Sequence, residues 1–91
     1  MQEIINEKIS VITIFRHRST QNEVLPWKIK WQGRIYHIQK IGFHHLIREG
    51  RKLFHIFSVT DGNLDFRLRF DTENLHWILE EVFDGALTQP Q

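Results

Sequence analysis

The stretch Asp71-Thr72-Glu73-Asn74-Leu75-His76-Trp77-Ile78-Leu79-Glu80-Glu81-Val82-Phe83-Asp84 decides the fold class. Read as a helix, Leu75, Ile78, Leu79, Val82 and Phe83 fall on one face at spacings of three and four. Asp71 or Thr72 then caps the start and Gly85 ends it, giving an α+β chain with a C-terminal helix over 72–84. Read as a strand, Leu75, Trp77 and Leu79 alternate. A four-residue loop over 71–74 sets them opposite Phe70, Leu68 and Phe66, with His76, Ile78 and Glu80 facing Arg69, Arg67 and Asp65. Periodicity alone favours the helix slightly.

The segments before it read as β. Residues 53–59 and 64–70 flank Asp61-Gly62, a hairpin signal. A two-residue turn pairs Val59 with Leu64, Phe57 with Phe66, His55 with Leu68 and Leu53 with Phe70 on one face. The other face carries Phe54, Ile56, Ser58, Asp65, Arg67 and Arg69. Further upstream, Trp27-Lys28-Ile29-Lys30-Trp31 alternates cleanly, with its rings on one side and its lysines on the other. Gln32-Gly33 supplies the positive φ angles of a two-residue turn, pairing Trp31 with Arg34, Ile29 with Tyr36 and Trp27 with Ile38. A three-residue loop is the competitor and brings Ile35 inward instead. The return strand runs to about Leu46, with Gly42 marking a bend, and a first β-branched strand covers 8–17. The expectation is an all-β domain over 8–84, with five to six antiparallel strands in a meander forming a small barrel or roll. Residues 1–7 and 85–91 are expected to fray.

Ninety-one residues allow one domain with a modest core. There is no cysteine, which excludes disulfides and thiolate metal sites. No signal-peptide pattern or membrane-length apolar run is present, so a cytoplasmic domain with no membrane partner is expected. Charge is segregated along the chain. Residues 16–52 hold nine of the twelve Lys and Arg residues and two of the eleven acids, a net +7 against −6 elsewhere.

Pro26, Trp31-x-Gly33-Arg34-x-Tyr36-x-Ile38, His55-x-Phe57-Ser58-Val59, Leu68-x-Phe70-Asp71 and Trp77-x-Leu79-Glu80-Glu81-Val82 form a set of short motifs over residues 9–84. Together they resemble a group of small bacterial domains of unassigned activity, a related version of which is attached to translesion-type DNA polymerases. The resemblance implies a β-rich fold, a strand at 75–83 and a leaning towards nucleic acid. It implies no catalytic residues.

Chemistry is sparse. His17, His37, His44, His45, His55 and His76 match no metal-ligand spacing, and His37 and His45 meet other ligands only across strands. No acid–base pair, nucleophile elbow or phosphate loop is recognisable, so neither catalysis nor a cofactor is expected. The leading expectation is a non-catalytic module that binds DNA or RNA through Lys28, Lys30, Arg34, His37, Arg48, Arg51 and Lys52. On this reading Trp27, Trp31 and Tyr36 are core rather than platform. The alternative is a protein-binding or self-associating module using Phe54, Ile56, Arg67, Arg69, Ile78 and Val82.

Overall fold

The structure, a computed structural model, describes residues 2–17 and 22–84. It contains seven strands: β1 (Gln2–His17), β2 (Asn22–Trp31), β3 (Arg34–His37), β4 (Lys40–Glu49), β5 (Lys52–Thr60), β6 (Asp65–Asp71) and β7 (Trp77–Phe83). They form one antiparallel sheet in the order β3-β2-β1-β7-β6-β5-β4. The fold is therefore all-β, with more strands than the five or six expected. The deciding stretch is a strand, because Trp77, Leu79 and Val82 each enter the core, at 5%, 0% and 7% exposure. The sheet rolls on itself without closing. At the linker between β3 and β4 the chain changes sides: Ile38 N–H donates to Trp27 O (3.1 Å) and Gln39 N–H donates to Thr60 O (2.8 Å).

β1 joins the two halves of the roll. Its second half pairs with β2 from Ser10 to His17, and its first half pairs with β7 from Gln2 to Ile9. Residues 2–7 are thus ordered strand, where fraying was expected. The expected fraying of 85–91 lies outside the described residues. The inner faces of the two halves meet in one core of Val24, Ile29 and Trp31 against Phe57, Val59, Phe66, Leu68, Phe70, Trp77, Leu79 and Val82. Indole N–H groups that enter a core need acceptors. β1 supplies both, Glu7 Oε2 for Trp31 (3.0 Å) and Thr13 Oγ1 for Trp77 (2.9 Å).

Turn chemistry sets the registers. Gln32 (φ 52°) and Gly33 (φ 76°) make the two-residue turn, and Trp31–Arg34 and Ile29–Tyr36 pair as expected. The β5–β6 hairpin differs. Its loop is four residues, Asp61 to Leu64, and Val59 pairs with Phe66, Phe57 with Leu68 and His55 with Phe70. Asp61 Oδ1 accepts the N–H groups of Asn63 (2.8 Å) and Leu64 (2.7 Å), and Thr60 Oγ1 accepts that of Gly62 (3.1 Å). These side chains stabilise the longer loop over the tight turn. The β6–β7 loop is also longer than expected. Asp71 Oδ1 accepts Glu73 N–H, Asp71 O accepts Leu75 N–H, and Leu75 sits at φ 64° on the surface. Phe70 therefore pairs with Trp77 rather than with Leu75.

Candidate nucleic-acid interface

A β-bulge builds the most distinctive surface. Ile12 pairs with Lys28 and Thr13 with Pro26, so Trp27 is the extra residue on β2. Pro26 and Ile29 are buried, and the two residues between them both project outward. Trp27 is 52% exposed, which corrects its expected place in the core. Trp31 and Tyr36 do pack inward, with rings 6.2 Å apart and Tyr36 5.1 Å from Phe66.

Cross-strand pairing defines the rows on this outer face. Ser10, Lys30 and Ile35 form one, and Ile12, Lys28 and His37 form the next. Between them lies a shallow groove of about 180 Å³, lined by Ser10, Ile12, Lys28, Lys30 and Ile35 among others. Ile12 and Ile35 are more than half exposed. The carboxylate at the far end of this face, Glu23, is held by Arg16 at 2.6 Å. The face thus offers two ammonium groups, an imidazole and an open indole on an apolar floor.

The remaining basic residues lie elsewhere. Arg34 stands opposite Trp31, so it belongs to the inner row at the hairpin tip. Arg48, Arg51 and Lys52 sit at the far end of the β4–β5 hairpin. The Thr60 end of β5 borders the 38–39 linker, and Lys52 lies eight residues further along, about 26 Å at strand rise. Lys52 Nζ also faces Asp71 (3.8 Å) and Glu73 (3.9 Å). The seven predicted residues divide into three groups, and only Lys28, Lys30 and His37 lie on the outer face of β1, β2 and β3.

The mixed face proposed for a protein partner is covered by its own side chains. Phe54 and Ile56 are buried, at 7% and 1% exposure, and the Arg69 guanidinium lies 4.7 Å from the Phe54 ring centre. Leu68 pairs with Leu79 and Arg67 with Glu81, so Glu80 is the extra residue of a second bulge. Its carboxylate bridges Arg67 (3.0 Å) and Arg69 (2.9 Å), and Arg69 also reaches Glu49 (3.6 Å). The same bulge turns Val82 into the core, against its expected outward position, while Ile78 stays half-buried on the outer face.

The histidines form one pair. His44 Nε2 lies 2.8 Å from His55 Nδ1, and the His44 ring stacks on Phe57 with centres 4.4 Å apart. Both imidazoles are held below their ordinary value. For His44 the cause is burial, then the neighbouring His45, partly offset by Glu23. For His55 it is burial, then His44. Among the described residues no three His, Asp or Glu side chains gather as a metal site, and no helix is long and apolar enough to cross a membrane.

Alternation alone does not find Trp27. The signal was Pro26 beside it, since a proline inside a sheet marks an edge or a bulge. Comparison with known proteins adds nothing to this geometry: no family model, curated protein or solved structure matches the chain.

Proposed function

We propose that this protein is a non-catalytic binding module that holds single-stranded nucleic acid on the outer face of β1, β2 and β3. The observation that carries the reading is the bulge that places the open Trp27 ring beside Lys28, with Lys30 and His37 on the same face. Small β-surfaces hold single strands by combining phosphate-neutralising cations with rings on which bases stack. Lys28 and Lys30 stand two residues apart on one strand, about 6.6 Å along it. A stacked duplex offers no free base to the indole, which favours a single strand.

The test is fluorescence anisotropy with a short labelled single strand at low salt, read alongside Trp quenching. Trp27→Ala is expected to weaken binding by about 1–3 kcal/mol and to leave the melting temperature almost unchanged. Lys28→Glu with Lys30→Glu is expected to abolish binding. For two neutralised phosphates the slope of log K against log salt is about −1.4. Absence of binding at high micromolar protein, or binding indifferent to these substitutions, overturns the reading.

A protein partner is the second reading, favoured by the exposure of Ile12 (56%) and Ile35 (58%) in the same groove. Such a partner would present apolar and acidic side chains together. Its binding would survive Lys28→Glu with Lys30→Glu better than Ile12→Asp, the reverse of the order expected for a nucleic acid.

A further inference from the structure

We infer that β4 pairs edge to edge with β4 of a second copy of this chain, antiparallel about a twofold axis at His45. This inference does not rest on the nucleic-acid reading. β4 is one end of the sheet, and among the described residues it packs against β5 alone. Its outer edge presents backbone N–H and C=O groups over a strand of ten residues. The other end strand, β3, has four. Native edges are blunted by short length, charge, proline or a bulge. β4 has a bulge at Gly42, near one end only. The run Ile41-Gly42-Phe43-His44-His45-Leu46-Ile47 carries no Lys, Arg, Asp or Glu. Phe43 on the outer face and Leu46 on the inner face are 56% and 55% exposed.

Chemistry selects one register. A twofold axis perpendicular to the sheet keeps outer residues opposite outer residues, so it must pass through a residue pair. With the axis at His45, Phe43 faces Ile47 on the outer side and His44 faces Leu46 on the inner side. Arg48 then reaches Gly42, where the bulge ends the regular register, so no two charges meet. With the axis at His44, Phe43 faces His45 and Leu46 faces Gly42, which loses the apolar pairing. With the axis at Leu46, Glu49 faces Phe43 and Arg48 faces His44, which loses the apolar pairing. The uncharged run is thus complementary to itself. On the axis each His45 has the other as its cross-strand neighbour.

The chain has no cysteine, so single introduced thiols report the register without background. His45→Cys is expected to form a disulfide-linked dimer on air oxidation. Phe43→Cys alone is expected not to, because its twin lies four residues away, about 13 Å. A mixture of Phe43→Cys and Ile47→Cys chains should link to each other. In sedimentation equilibrium, Leu46→Lys should raise the dimer dissociation constant about tenfold or more, with an unchanged circular-dichroism spectrum confirming the fold. A wild-type chain that stays monomeric at high concentration overturns the inference. So does cross-linking of Phe43→Cys chains to one another as readily as of His45→Cys chains.

Discussion

The contact between the His44 and His55 rings sets a pH dependence. His44 Nε2 and His55 Nδ1 share one hydrogen bond at 2.8 Å, so one ring donates and the other accepts. Protonating both sets two N–H groups against each other. Burial lowers the affinity of each ring for a proton below that of the unfolded chain. The unfolded chain therefore binds more protons than the native protein in this range, and stability rises with pH. The contribution is complete above the ordinary imidazole value and is lost as the pH falls from there through the lowered native values. We expect the melting temperature to fall as the pH drops from about 7.5 to about 5, and His55→Gln to flatten that slope. Identical slopes for wild type and variant would exclude this origin. Asp71 acts separately at more acid pH. Its carboxyl is lowered first by the Glu73 N–H, so its contribution is present above the ordinary carboxylate range and lost as the pH falls through its own lowered value.

At the scale of the elements, loops and bulges govern what each strand presents. Asp61 Oδ1 accepts two N–H groups that would otherwise be unpaired in the β5–β6 loop. Asp61→Ala should cost about 1–2 kcal/mol in urea unfolding, and Asp61→Asn distinctly less, since an amide oxygen still accepts. Equal losses for the two variants would show that the oxygen is not what matters. The same loop shows how far the fold was legible. Period-two alternation placed Phe57, Val59, Phe66, Leu68 and Phe70 on the correct face. It missed the register by two residues, because a shift of two preserves the face and so leaves no trace in the pattern. A bulge erases the pattern altogether. One at Trp27 turned an expected core ring outward, and one at Glu80 turned an expected surface residue, Val82, inward. The candidate site was therefore half legible: Lys28 and Lys30 on an outer face were correct, whereas Trp27 was not. The grouping of Arg34 and the 48–52 loop with those lysines required a three-dimensional distance that charge counting along the chain does not contain.

On the scale of the whole molecule, the two oppositely charged segments meet at Lys52, which faces Asp71 and Glu73, and at Glu49, which faces Arg69. Arg16 with Glu23, and the arginines of β6 with Glu80, pair within their own segments. One further property follows from the seam between β1 and β7, where Gln2 pairs with Phe83. The pairs along β5 and β6 are close in the chain, whereas this seam joins β1 to β7, across five intervening strands. Loop-closure entropy makes such distant pairing late and slow. Refolding should therefore begin in the β5–β6 hairpin and finish at the seam. Leu68→Ala is expected to slow refolding, while Ile9→Val mainly speeds unfolding. Stopped-flow kinetics that show Ile9→Val slowing refolding in proportion to its loss of stability would refute that order. During synthesis the consequence is directional: β1 keeps one flank uncovered until β7, made later, has emerged.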